Sequence, residues 1–152
     1  MASAEADGTR RLELRFPASR EGFARGFEKL RRGLDALPLD PQARRSVELV
    51  FEEVVANVIG HGVTPGANTD LSLELSVGDD AVRLTFVDDG VPFDPRERPD
   101  PAPPTDLEHA PTGGRGLMLI RRFSSAVEYV RTPEGQNRLT VTVPRVQRAG
   151  RR

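Results

Sequence analysis

Cysteine is absent from the 152 residues, and lysine is nearly absent, because Lys29 stands alone against 21 arginines. The lack of cysteine excludes disulfides, thiolate metal ligands and a cysteine nucleophile, and it fits a reducing compartment. The sequence contains neither a G-x-x-x-x-G-K-[ST] phosphate loop nor a V-A-I-K strand of the usual protein-kinase type. If the protein handles a nucleotide, it must do so in another way.

Long apolar runs are absent too, and the charges nearly cancel. No segment approaches the roughly 20 apolar residues needed to cross a membrane, and the polar start MASAEADGTRR lacks the apolar centre of a signal peptide. The formal net charge of −1 gives no global electrostatic case for a nucleic-acid binder. We therefore expect one cytoplasmic domain that contacts neither membrane nor nucleic acid directly.

The spacing of apolar residues predicts the order of helices and strands. In chain order the predicted elements are a strand at 11–16, a helix from Ser19 to Pro38, a second helix from about 41 to Gly60 or Gly62, a hairpin of 71–77 with 81–87, a short helix at 116–123, and a last hairpin around PEGQN. This order suggests a two-layer α/β sandwich, with a mixed, mostly antiparallel sheet covered on one face by helices. The other, polar face of the sheet would meet solvent.

Proline marks a different kind of segment near the middle of the chain. Residues 88–114 hold seven of the thirteen prolines and few large apolar groups. A long irregular segment inside a small domain is usually functional or disordered. We expect the folded domain to span 11–144, between a flexible N-terminus at 1–10 and a basic tail at 145–152.

Polar residues stand inside the second predicted helix, in the stretch FEEVVANVIG. Glu53 and Asn57 are four residues apart, so they share a face beside the apolar stripe. Glu52 lies about 100° around the helix and is interpreted as a surface charge. Taken alone, the pair on the shared face could equally be a solvated helix edge.

Two glycine-containing segments follow, and each also has an ordinary interpretation. VDDGVPF places Asp88 and Gly90 at the exit of an apolar strand, where D-x-G is a common turn. TGGRGLMLI places Gly114, Arg115 and Gly116 directly before a helix. Glycines there let backbone amides approach an anion, and the helix N-terminus adds partial positive charge.

Together, the three motifs E-x-x-x-N, D-x-G and G-x-G resemble the N, G1 and G2 boxes of the Bergerat-fold (GHKL) ATPases. This family includes heat-shock-90, gyrase, MutL and histidine-kinase ATP domains, and the resemblance runs from RLELRF to LTVTVP. EEVVANVIGHG, DDGVPFDP and GGRGLMLIRRF are most similar to the anti-sigma-factor serine kinases of bacterial partner-switching systems. Histidine kinases carry a phosphoacceptor histidine on a separate hairpin, whereas His61 and His109 are the only histidines here. Gyrase and MutL relatives need a transducer domain, for which we expect no room.

The resemblance implies a role for each residue of the first two motifs. Glu53 would be the general base, which takes the proton from an attacking hydroxyl. Asn57 would supply one oxygen to Mg²⁺, which takes most of its ligands from water and phosphates. Asp88 would accept the adenine amino hydrogen, and Gly90 would leave space beside the base. Pro92 stands where many relatives have a second glycine.

The resemblance also assigns the third motif and the last strand. Gly114 and Gly116 would lie beside the nucleotide phosphates, and Arg115 could reach a phosphate or remain a solvated arginine. Residues 95–113 would form the ATP lid, whose prolines limit the disorder that it loses on closing. Thr140 resembles the hydroxyl residue that helps to hold the base, although an ordinary strand threonine fits as well.

The function implied is that of an ATP- and Mg²⁺-dependent protein-serine kinase. Its substrate would be an anti-sigma-factor antagonist, its second partner a sigma factor, and its oligomeric state a homodimer. A different class remains open, namely a non-catalytic nucleotide-binding module that sequesters a regulatory partner. A third possibility is an ATPase domain within a larger assembly. The presence of Glu53 favours the enzyme, because a sequestering module needs no base.

Overall fold

The computed structural model describes residues 10–64, 66–97 and 116–145. The elements are β1 (Arg11–Pro17), α1 (Arg20–Leu34), α2 (Pro41–Asn57), a π-helical turn (Val58–Gly62), β2 (Asp70–Val77), β3 (Ala81–Asp88), a 3₁₀ turn (Pro95–Glu97), α3 (Gly116–Phe123), β4 (Ala126–Arg131) and β5 (Asn137–Pro144). The predicted flexible N-terminus and basic tail lie outside the described residues, except for one residue of each. Most of the predicted lid lies outside them as well.

The five strands form one sheet in the order β1-β2-β3-β5-β4, and all four described pairings are antiparallel. Both predicted hairpins are confirmed, because β2 pairs with β3 and β4 pairs with β5. The helices pack on one face, as the two-layer α/β sandwich requires. The fold class is therefore confirmed. We expected a mixed sheet, but none of the described pairings is parallel.

Strand β3 shows how the sheet places a polar group beside the core. Its inward side chains Val82, Leu84 and Phe86 are buried, and the alternating ones face away from the helices. Asp88 continues the inward series at the end of the strand, where it is also buried. A carboxylate thus occupies a position at which the strand pattern calls for an apolar residue.

Local capping interactions fix where the two long helices begin. The Ser19 hydroxyl accepts a hydrogen bond of 3.0 Å from the backbone N–H of Gly22 at the start of α1. The Asp40 carboxylate accepts from the first turn of α2, which has Pro41 at its first position. The α2 helix runs directly into the π-helical turn Val58–Gly62, at the predicted helix end. Turns of this kind occur frequently at functional sites.

The aromatic side chain of Phe51 joins the helices to the sheet. It is completely buried, and its ring centroid lies 5.5 Å from that of Phe16, 6.0 Å from Phe23, 5.9 Å from Phe27 and 6.4 Å from Phe86. Aromatic rings at such separations pack favourably in tilted arrangements. The cluster fixes the rotation of α2 about its own axis. Within the described ranges, no helix has the length and apolar character needed to cross a membrane.

Candidate functional site

The N-terminus of α3 lies directly over the polar face of α2. A Cβ atom built on Gly116 would come within 2.9 Å of Glu53 Oε2 and within 3.3 Å of Asn57 Oδ1. The ends of these two side chains would have to shift to admit a larger residue, so the glycine leaves room for their present positions against α3. The structure therefore brings together Glu53, Asn57 and Gly116, although Glu53 and Gly116 are 63 positions apart in the sequence.

The Glu53 side chain is half-buried, and its environment changes its acidity. Burial raises the pKa of this carboxyl above its ordinary value, and the neighbouring charge of Glu52 raises it further. A carboxylate with a raised pKa holds a proton more readily, which suits a group that accepts one. Glu52 is itself half-buried, rather than the fully exposed surface charge that we expected from the sequence.

Asp88 supplies the buried charge on the sheet side of the site, and 6% of the residue is exposed. Its Oδ1 atom accepts a hydrogen bond of 2.9 Å from the backbone N–H of Gly90 and one of 3.0 Å from Asn137 Nδ2. Burial raises the pKa of the Asp88 carboxyl, and these two hydrogen bonds oppose the rise. The result is a hydrogen-bond acceptor held at the inner end of β3.

The segment after β3 is attached to both neighbouring parts of the fold. A Cβ atom on Gly90 would lie 2.0 Å from the carbonyl oxygen of Gly62, and the Val91 N–H donates to that oxygen at 3.0 Å. The Arg131 guanidinium donates to the Gly90 carbonyl at 2.9 Å. The start of the predicted long loop is therefore held against the π-helical turn on one side and the end of β4 on the other.

A small crevice lies between α2 and the inner face of the sheet. Apolar side chains form most of its walls, and a few polar side chains join them; its lining includes Val54, Val58, Phe86, Leu139, Phe93, Tyr129, Asn57, Asp88 and Asn137. Its volume is about 20 Å³, roughly the space of one water molecule. Apolar walls around one buried acceptor have the chemistry that suits an apolar ring carrying a hydrogen-bond donor. The volume requires neighbouring side chains to move before a base can enter.

Phe93 is one side chain whose movement would enlarge this crevice. It lies on the segment after β3, and its ring stacks on His61 with the centroids 5.4 Å apart. Farther along, Arg96 forms a 2.9 Å ion pair with Asp94 and lowers the pKa of that carboxyl. The Arg96 guanidinium is therefore engaged within its own turn.

The donor set also bears on whether Mg²⁺ fits the site. Asn57 offers an amide oxygen, a ligand type that Mg²⁺ accepts. No group of three or more His, Cys, Asp or Glu residues in the described part of the chain could hold a metal ion by itself. The residues therefore fit an ion that takes most of its ligands from water and nucleotide phosphates, and they do not form an all-protein metal cage.

Thr140 does not join the other predicted residues. It pairs with Thr85 on β3, and the pleat turns both side chains toward the solvent side of the sheet, opposite Asp88. There it lines a separate groove of about 730 Å³. Gly114 and Arg115 lie outside the described residues, so their predicted contacts stay predictions.

Asn137 is the site residue that the sequence analysis missed. It pairs with Asp88 across β3 and β5, and it is 4% exposed. In the sequence it closes the turn PEGQN, where asparagine is common for local reasons. The sequence points to Asn137 only once the register of β3 and β5 is known, because that register shows which residue lies opposite Asp88.

Comparison with known proteins agrees with this geometry. A family model, the histidine kinase-like ATPase domain, matches residues 16–143. The chain therefore belongs to the family of histidine kinase-like ATPase domains. This confirms the predicted Bergerat-type resemblance, and membership of an ATPase-domain family implies ATP binding.

Two individual relatives sharpen the comparison. The chain is 34% identical over 99 residues to the serine/threonine-protein kinase BtrW of Bordetella bronchiseptica, a match that covers 65% of this chain and 69% of that protein. It also superposes on the crystal structure of the RsbU and RsbW domains of a Mycobacterium tuberculosis protein, with a TM-score of 0.59 and 18% identity. That superposition covers 94% of this chain and 35% of the other, so the chain spans about a third of that relative. At this identity the second likeness shows the fold.

Gly90→Ala tests the close approach of the loop to the π-helical turn. The new methyl group would meet the Gly62 carbonyl at 2.0 Å, and a backbone atom cannot move aside as a flexible side chain can. We expect the free energy of unfolding to fall by about 1–3 kcal/mol, measured by urea denaturation. Gly60→Ala is the matched control, because a Cβ there meets nothing within 4 Å. Equal midpoints for the two variants would contradict the described packing.

Proposed function

We propose that this chain is an ATP- and Mg²⁺-dependent protein-serine kinase that phosphorylates an anti-sigma-factor antagonist. The observation that carries the proposal is the meeting of Glu53 and Asn57 with Gly116, at a helix N-terminus near a crevice whose lining includes Asn57 and Asp88. Such a constellation offers a base, a metal ligand, a phosphate-facing backbone and a base-reading acceptor. The serine/threonine-protein kinase among the relatives supports the reaction type.

In the proposed complex, the nucleotide would lie with its base toward Asp88 and its phosphates toward the start of α3. Asp88 would accept the amino hydrogen of adenine, and the backbone of Gly90 would lie beside the base. The N–H groups of the first α3 turn would face the phosphates, because a helix N-terminus favours negative charge. Gly114 and Arg115 would extend this phosphate-binding segment, and residues 95–113 would cover it as a lid.

Mg²⁺ would be held through the side-chain oxygen of Asn57. When bound, the ion would neutralise charge on the phosphate oxygens during transfer. Asn57 is half-buried beside the N-terminus of α3, so one of its oxygens could complete a coordination shell made mostly of phosphate and water. The protein contributes the position of this oxygen through the rotation of α2.

Glu53 would accept the proton in the chemical step. As the substrate serine oxygen bonds to the γ-phosphorus of ATP, its hydroxyl proton would pass to the Glu53 carboxylate. The bond from phosphorus to the bridging oxygen would break, and ADP would leave. Burial already raises the pKa of Glu53, which makes its carboxylate a better proton acceptor than an exposed glutamate.

The partners follow from the resemblance stated for the motifs. The serine would belong to an anti-sigma-factor antagonist, and in its other state the kinase would bind and sequester a sigma factor as a homodimer. Partner switching of this kind needs a protein that both modifies one partner and holds another. Incubation with labelled ATP and candidate antagonist proteins tests the proposal directly.

Asn57→Ala tests the metal assignment. The change removes the amide oxygen while leaving the helix intact, since alanine is the strongest helix former. We expect ATP affinity, measured by titration calorimetry with and without Mg²⁺, to become much less responsive to the ion. Ala56→Ser, on the exposed face of α2, is the control. A Mg²⁺ response like that of the unchanged protein would assign Asn57 to an ordinary helix edge.

Glu53→Ala separates the base from nucleotide binding. We expect ATP to bind, while the rate of phosphoserine formation on the cognate antagonist falls by on the order of 10² to 10⁴. Glu52→Ala is the matched control, because it removes the adjacent carboxylate from a different face of the helix. Phosphorylation at the unchanged rate by Glu53→Ala would refute the base assignment. If the unaltered protein phosphorylates no candidate, the non-catalytic nucleotide-binding module becomes the better description.

A further inference from the structure

We infer that Asn137 is a positioning residue that holds the Asp88 carboxylate in the orientation needed to read an adenine amino group. This inference rests on the nucleotide site proposed above. It concerns a residue that makes no contact with the base itself. Three observations carry it: the hydrogen bonds of the Asn137 amide, the oxygen of Asp88 that they leave available, and the attachment of the crevice loop to the same amide.

The side-chain amide of Asn137 uses its full hydrogen-bonding capacity within the chain. Its Nδ2 atom donates to Asp88 Oδ1 at 3.0 Å and to the carbonyl of Val91 at 2.8 Å. Its Oδ1 atom accepts from the backbone N–H of Phe93 at 3.2 Å and from the hydroxyl of Tyr129. An asparagine side chain offers two donor hydrogens and two acceptor lone pairs. Asn137 therefore has no group left for a ligand, and its role is to hold its neighbours.

The two oxygens of Asp88 are treated differently by the protein. Both hydrogen bonds from the described residues, those of Gly90 and Asn137, fall on Oδ1. The second oxygen, Oδ2, receives none from that part of the chain. Fixing Oδ1 from two directions restricts rotation of the carboxylate, so Oδ2 is a preorganised acceptor. Preorganisation of this kind strengthens binding because less freedom is lost when the ligand arrives.

The same amide also connects Asp88 to the loop that narrows the crevice. Val91 and Phe93 both belong to the segment after β3, and the Phe93 side chain lines the crevice. Their backbone groups bind opposite ends of the Asn137 amide. The acceptor and the wall of the base site are thereby held by one side chain, in a buried network whose bonds support one another.

The test compares two nucleotides that differ only in the group that Asp88 would read. ATP carries the 6-amino group, and purine riboside triphosphate lacks it. We expect the unaltered protein to prefer ATP by roughly 5- to 150-fold in Kd, the range expected for one buried hydrogen bond. In Asn137→Ala, we expect most of this preference to disappear, because Asp88 loses its fixed orientation. Titration calorimetry gives both affinities.

Two further variants make the result specific. Tyr129→Phe keeps the ring and removes only the hydroxyl donor to Asn137, so we expect a smaller loss of the ATP preference in a folded protein. Thr142→Ala lies on the same strand with its side chain on the opposite face, and we expect it to keep the preference. Circular dichroism verifies folding. If Asn137→Ala does not fold, an unchanged preference in Tyr129→Phe overturns the inference.

The remaining outcomes separate this inference from the function on which it rests. A purely structural role for Asn137 would weaken both nucleotides by the same factor and leave their ratio unchanged, and that result would overturn the inference alone. If the unaltered protein does not prefer ATP over the analogue, Asp88 does not read the amino group. The base-site assignment then fails, and the inference fails with it.

Discussion

The buried carboxylate of Asp88 is the group around which the rest of the site is arranged. A charge at the inner end of a core strand is unfavourable unless hydrogen bonds compensate for lost water. The chain supplies them from the backbone of Gly90 and from Asn137. To deliver the first, the backbone must turn back toward Gly62, so that only glycine fits at position 90. One polar group in an apolar series thus determines the path of the loop that follows.

The second half of the site depends on the helical core instead. The Phe51 cluster fixes the rotation of α2, and Glu53 and Asn57 follow from that rotation because they lie on the adjoining face. The missing side chain of Gly116 then leaves room for the ends of these two side chains beside α3. The packing of the core therefore determines the positions of the polar groups. A change in the aromatic cluster would move the Glu53 carboxylate and the Asn57 amide together.

The sequence predicts those features that depend on short-range periodicity, and it predicts less well those that depend on the register between strands. The paired glutamate and asparagine follow from helical spacing, and the strands follow from alternation. The resemblance places Thr140 beside the base. Neighbouring residues of a strand point to opposite faces of the sheet, however, and Thr140 lies on the face away from Asp88. The turn before β5 determines which side chains of β5 face the helices, and a sequence motif does not reveal this. Asn137 resembles a turn residue for the same reason, and the size of the crevice depends on side-chain rotamers that no sequence pattern specifies.

Calorimetric titration of Asp88→Asn with ATP is the sharpest test of the nucleotide site. The change preserves shape but replaces an acceptor with a donor toward the adenine amino group, so we expect a folded protein whose ATP affinity is weaker by roughly 5- to 150-fold. Circular dichroism and the urea midpoint verify that the fold survives. An affinity equal to that of the unaltered protein, in a folded variant, would contradict the account by removing Asp88 from the nucleotide site.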